Sequence, residues 1–111
     1  MNTITTGQIR QGDVLLTPTD ETTAGMEQVK RDAGRIVLAY GEATGHAHAI
    51  ADRDAVLFRD PKQPESRILK VTGNVVFLRH EEHTEHKLAP GNYRVITQRE
   101  YSPEEIRRVA D

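Results

Sequence analysis

Cysteine and tryptophan are absent from this 111-residue chain, and phenylalanine occurs only twice. Without cysteine there are no disulfides, no thiolate metal sites and no cysteine nucleophile. Without tryptophan, and with only Phe58 and Phe77, a core has to be made from Val, Ile and Leu. No apolar run approaches the roughly 20 residues of a membrane-spanning helix. The first residues, Met1 to Thr6, carry no basic segment leading into an apolar one, so a signal peptide is not expected. A cytoplasmic protein is the resulting expectation.

An excess of charge is missing too. Fifteen basic side chains stand against 17 acidic ones, a formal charge of −2, so no overall field draws the chain to nucleic acid or to a membrane surface. Aromatic residues interleaved with basic ones, the usual stacking platform for single strands, are absent, which further disfavours a nucleic-acid partner. There is no glycine-rich phosphate loop, no Gly-X-Ser-X-Gly elbow and no His-Glu-X-X-His; His80-Glu81-Glu82-His83 is one residue short of the last.

What remains is a chain 36% apolar and 29% charged, enough for one domain spanning residues 1–111 with a thin aliphatic core. Val14-Leu15-Leu16 reads as a strand entered from Gly12-Asp13 and ended by Pro18, and residues 19–34 read as a long polar loop. Arg35 to Tyr40 is a short β-branched run between Gly34 and Gly41 and reads as a buried strand. His46 to Ile50 alternates with period two, and Ala55 to Phe58 is a further strand. Asp60 to Glu65, with two prolines, is a turn. Arg67 to Val71 and Asn74 to Leu78 read as a hairpin about Thr72-Gly73. Pro90-Gly91 turns the chain into a last strand, Asn92 to Thr97. Ser102-Pro103-Glu104-Glu105 carries the cap, first-turn proline and reciprocal glutamate of a helix start, so a short helix is expected over 103–110. Roughly seven or eight short strands and one terminal helix imply a mainly β fold, a small β-barrel or β-sandwich.

All five histidines fall in two short clusters. His46 and His48 are two apart on an expected strand, so both side chains leave one face. His80, His83 and His86 are three apart and interleaved with Glu81, Glu82 and Glu85. Imidazole is the commonest protein ligand for Zn, Ni, Cu and Fe, and carboxylates complete such sites. A strand-borne His-X-His plus ligands from a second segment is a workable set for a divalent metal such as Zn, Ni, Mn or Fe. Two plainer readings stand beside it. The 80–86 segment has the composition of a solvated, charged loop, and the histidines would also serve as metal-free acids, bases or phosphate ligands. Protonating all five would carry the formal charge from −2 to about +3.

Before His46, Gly41 and Gly45 flank Glu42-Ala43-Thr44, and the glycines permit close approach of a ligand to backbone. Glu42 is the candidate general acid or base, or an acceptor for an imidazole N–H; an ordinary turn with an exposed glutamate is the alternative. Thr97 to Tyr101 is polar on both faces, as an edge strand or a cavity wall would be. Arg99 suits a carboxylate or phosphate, unless it pairs with a glutamate to fix the terminal helix. Tyr40, Thr44, Arg99 and Tyr101 are the candidate ligand-binding side chains.

Gly41-Glu42-Ala43-Thr44-Gly45-His46-Ala47-His48, Pro90-Gly91-Asn92-Tyr93-Arg94-Val95 and Gln98-Arg99-Glu100-Tyr101 together resemble a family of small, uncharacterised bacterial and phage proteins. That resemblance covers most of the chain and brings no established function with it. More loosely, the chain is similar to the cupin β-barrels, whose first motif sets a His-X-His after a glycine with a carboxylate following. Gly41, His46, His48 and Asp52 match that order. Asp52 replaces the cupin glutamate, Arg59 stands where a glycine is expected, and no histidine follows the Pro90-Gly91 turn. By that likeness one of His80, His83 and His86 would have to supply the missing ligand.

Two function classes follow from these residues. One is a small metal-binding β protein, with His46, His48 and one or more of His80, His83 and His86 as ligands. It would be a metal-dependent hydrolase or other metalloenzyme acting on a small polar substrate. The other is a non-enzymatic binding protein, with a homo-oligomer allowed for. Its histidine and arginine surface would hold an anionic ligand or a protein partner.

Overall fold

The computed structural model describes residues 7–40, 46–81 and 83–97. These residues form ten strands and no helix, so no helix among them is long and apolar enough to cross a membrane. The helix expected over 103–110 lies outside the described residues. The strands are β1 (Ile9–Gln11), β2 (Val14–Thr19), β3 (Glu27–Gln28), β4 (Ile36–Tyr40), β5 (Ala47–Ile50), β6 (Ala55–Arg59), β7 (Arg67–Val71), β8 (Val76–His80), β9 (His83–Leu88) and β10 (Gly91–Thr97).

They make two antiparallel sheets, one in the order β1-β2-β10-β7-β6-β3 and the other β4-β5-β8-β9. Both sheets end in unpaired edges among the described residues, so the chain is mainly β but not a closed barrel. That corrects the barrel alternative. The physical reason lies in the end strands: β1 has three residues and β3 two, too few to carry a ladder round to the opposite sheet. The core is the aliphatic set the composition demands. Val14 and Leu16 of β2, Leu57 of β6, Leu69 of β7, and Val76 and Leu78 of β8 are each at most 2% exposed. Alternation sets which residues turn inward: in the first four residues of β2, β4 and β6 buried side chains alternate with partly buried ones.

Pro18 does not end β2; it pairs with Tyr93 inside the strand. β1 covers only Val14 to Leu16, so past Leu16 one side of β2 is an edge, where a missing N–H is tolerated. The long polar segment 19–34 holds one short strand, β3, paired with Phe58 and Arg59. A larger departure concerns β7 and β8. They are not a hairpin but lie in different sheets, because β6 and β10 already occupy both sides of β7. The connection crosses from one sheet to the other at Gly73, whose φ is +76°. Asp54 holds this crossing: its carbonyl accepts from Thr72 N and its carboxylate from Asn74 Nδ2, both at 2.8 Å.

Two side chains tie distant elements together, and each makes a prediction. The β4–β5 pairing has a register shift between Val37 and Ala39, which leaves Leu38 with a carbonyl outside the regular ladder. Arg67 reaches over from the other sheet and donates to that carbonyl at 2.9 Å. Arg67→Met, which keeps the aliphatic stem, is expected to destabilise the fold by about 1–2 kcal/mol by orphaning the oxygen. In urea titrations the midpoint falls while the slope stays constant; an unchanged midpoint would show that the bulge carbonyl finds water instead.

Glu21 is paired with Arg94 of β10, which also donates to Ser66 Oγ at 3.3 Å. The hydrogen bond from Arg94 holds the Glu21 carboxyl below its ordinary value of 4.5. A depressed folded-state pKa gives stability that is present above the unfolded pKa and lost as pH falls through the folded one. The stability difference between wild type and Glu21→Gln is therefore expected at about pH 6 and should shrink as the pH falls below the ordinary carboxyl value of 4.5. The pair is exposed, so the difference is small at any pH; one that grew on acidification would contradict the assignment.

Candidate metal centre

Four of the five histidines converge at one end of the second sheet. β8 and β9 form a hairpin in which His80 and His83 are direct cross-strand partners, so a sequence spacing of three becomes a facing pair. The hairpin lies beside β5, with Ala49 opposite Arg79, and this brings His48 against His80. Their ring centroids are 4.2 Å apart; those of His80 and His83 are 4.6 Å apart and those of His48 and His83 5.6 Å. One ligand atom from each of His48, His80 and His83 can be chosen so that all three lie within 4.8 Å of one another. The same holds for His46, His80 and Glu81.

The three histidines run from interior to solvent: His48 is 4% exposed, His80 half-buried and His83 exposed. The buried member is held by Gln11, at the end of β1 in the other sheet. Gln11 is itself 2% exposed. Its amide nitrogen donates to Leu78 O at 3.1 Å and to Thr84 O at 2.8 Å. Both amide hydrogens thus go to carbonyls, which fixes the amide orientation and leaves Oε1 to face His48 Nδ1 at 2.8 Å. Facing an acceptor, Nδ1 is the protonated nitrogen, and the neutral ring carries its lone pair at Nε2. An imidazole whose far N–H is held by a fixed acceptor is the usual arrangement of a metal-ligating histidine.

Gly12 follows Gln11 and closes the β1–β2 hairpin with φ +56°. A Cβ at this position would lie 2.8 Å from His83 Nε2 and 3.1 Å from His48 Cε1. The absence of a side chain is what lets the two rings sit against the turn.

Glu81 follows His80 directly. It accepts the Ala47 N–H at 3.0 Å, and that hydrogen bond is the first cause of a carboxyl pKa held below its ordinary value, with His46 and His80 adding to it. Ala47 and Ala49 of β5, and Ala51 just after it, line a cleft of about 300 Å³ together with Arg35, Arg79, His80 and Glu81. Arg79 lies over the Phe77 ring, 5.2 Å from its centroid, and is also paired with Glu85 at 2.7 Å.

Among the residues singled out from the sequence, His46, His48, His80 and His83 come together. His86 does not join them; it stands half-buried opposite Leu78. Tyr40 pairs with Ala47 across the strands but is 57% exposed and donates its hydroxyl to the Asp32 carboxylate, which raises the phenol pKa. It lines a different groove, of about 600 Å³, with Arg59, Arg67 and Thr97. Glu42, Thr44, Arg99 and Tyr101 lie outside the described residues. Asp52, the carboxylate at the cupin position, accepts the Phe77 N–H at 2.6 Å and is in neither ligand group.

Gln11 and Gly12 are not among the candidate site residues of the sequence, and Glu81 stands there only as one of the glutamates interleaved with the second histidine cluster. The available signal for Gln11 was register: it shares the inward face of β1 with Ile9, and a glutamine there needs a buried partner. Nothing in the sequence said which partner.

A family model described as a domain of unknown function, DUF8820, matches residues 10–98. The chain belongs to that family. The match runs from β1 to the end of β10 and takes in Gln11, Gly12 and all five histidines. Membership in DUF8820 agrees with the resemblance to an uncharacterised family. No curated protein and no solved structure matches the chain.

Proposed function

We propose that this DUF8820 domain binds a divalent metal through His48, His80 and His83 and uses it in hydrolysis of a small anionic substrate. The observation that carries the reading is the Gln11–His48 hydrogen bond at 2.8 Å. It presents one nitrogen of a buried imidazole to two further imidazoles whose ligand atoms lie within reach. A solvated histidine-rich loop would need no such buried support.

The chemistry follows from the donor set. Three nitrogen ligands leave at least one coordination position for water, and a metal-bound water loses a proton near neutral pH far more readily than free water. The exposure gradient from His48 to His83 supports a position open to solvent. The adjoining cleft supports the substrate class: its alanine lining leaves room, and Arg35 and Arg79 supply positive charge. The ligand set suits Zn, Ni, Mn or Fe. Of the cupin-like His46-X-His48 pair this reading uses His48, carried by β5, with His80 and His83 in the role of the missing second-motif histidine.

Elemental analysis of protein purified without a histidine tag tests this directly. At least one ion per chain is expected, and His48→Ala should hold one fewer than wild type. No metal as purified, and no uptake when Zn, Ni, Mn or Fe is supplied, would make this a metal-free binding domain.

A further inference from the structure

We infer that the site holds two divalent ions, with His80 shared between them: one on His48, His80 and His83, the second on His46, His80 and Glu81. The second ion rests on the three-histidine reading and extends it. Five side chains fall into two ligand groups that meet only at His80. Within each group one ligand atom per residue can be chosen so that all three lie within 4.8 Å of one another. Zinc held by protein side chains is almost always four-coordinate, so a single ion would leave at least one of the five donors unused.

The His80 ring centroid lies 4.2 Å from that of His48 and 5.8 Å from that of His46, whose ring stands edge-on to it at 85°. Imidazole carries nitrogens on two separated edges, and each nitrogen can serve one ion once the ring N–H proton has gone to solvent. The resulting imidazolate, together with the Glu81 carboxylate, offsets part of the charge of two dications. Glu81 is also a prepared ligand. Its carboxylate is fixed by the backbone N–H of Ala47, the residue directly after His46, so the same local structure positions two of the three donors. His80 and Glu81 both line the cleft with Arg35 and Arg79, so a second ion there would stand beside the substrate together with the first.

Equilibrium dialysis of the whole chain against zinc, with elemental analysis of the retained metal, counts the ions. Wild type is expected to hold two per chain, Glu81→Gln and His46→Ala one each, and His80→Ala none tightly. Glu81 is exposed, so Glu81→Gln leaves the core untouched, and a matching thermal melt confirms it. Copper loading gives an independent readout. A shared imidazolate couples two Cu(II) spins, so wild type should show a diminished EPR signal and Glu81→Gln an ordinary single-copper spectrum. One zinc in wild type, undiminished in Glu81→Gln, overturns the second ion and leaves the three-histidine centre intact. One zinc lost equally in His48→Ala and Glu81→Gln means a single mixed site and overturns it too. No zinc at all overturns both readings.

Discussion

Gln11→Leu is expected to cost about 3 kcal/mol of stability and to weaken metal binding roughly 10–100-fold. The side chain fills its place almost completely, being 2% exposed, and makes three hydrogen bonds from one amide. Leucine is close in volume, so no large cavity forms and the loss is polar. The substitution orphans Leu78 O and the N–H of His48, each worth about 1–3 kcal/mol when buried and unpaired. Thr84 is exposed, so its carbonyl can return to water. For a domain of this size the loss corresponds to a fall of roughly 10–20 °C in melting temperature. Metal binding suffers separately, because the His48 ring is no longer held in one tautomer and orientation. Gln11→Glu divides the two roles. It keeps an acceptor for His48 but sets a carboxylate against two carbonyl oxygens, so it should unfold at least as readily as Gln11→Leu while binding metal more tightly than it does. Equal affinity in wild type and Gln11→Leu, with a folded variant, would remove Gln11 from the site.

The strands were largely legible because alternation and β-branched runs are local signals. β4, β6 and β10 fall within about a residue of where Gly, Pro and the apolar pattern put them. Sheet membership was not legible. Val71 and Val76 are close in the chain with a glycine between them, which is a hairpin signal. The outcome depended on β10, twenty residues on, taking the side of β7 that β8 would have needed. The site divides in the same way. Period two marked the strand that carries His48, which begins just after His46, but the His80–His83 spacing has no meaning until the segment is known to be a hairpin. Gln11 and Gly12 reach the histidines only through the packing of one sheet on the other, some 37 residues away in the chain at the His48 contact. No window on the sequence contains that contact.

Gly12→Ala is expected to lower metal affinity at least roughly tenfold, about 1.4 kcal/mol, through a ring that has nowhere to stay. Two costs combine in the substitution and have to be separated. One is backbone: φ is +56°, a left-handed conformation that costs a residue with a Cβ roughly 1–2 kcal/mol. The other is contact, since the new methyl would lie 2.8 Å from His83 Nε2 and 3.1 Å from His48 Cε1. Of the two rings, His48 is buried and anchored by Gln11, while His83 is exposed. It is His83 that yields, and in yielding it leaves the ligand group. Gly73→Ala isolates the backbone cost, because φ there is +76° and no atom lies within 4 Å of the added carbon. Both variants should lose similar stability in urea, and only Gly12→Ala should lose zinc affinity by calorimetric titration. If Gly12→Ala binds zinc as wild type does, His83 is not a ligand and the centre must be rebuilt around His46, His80 and Glu81.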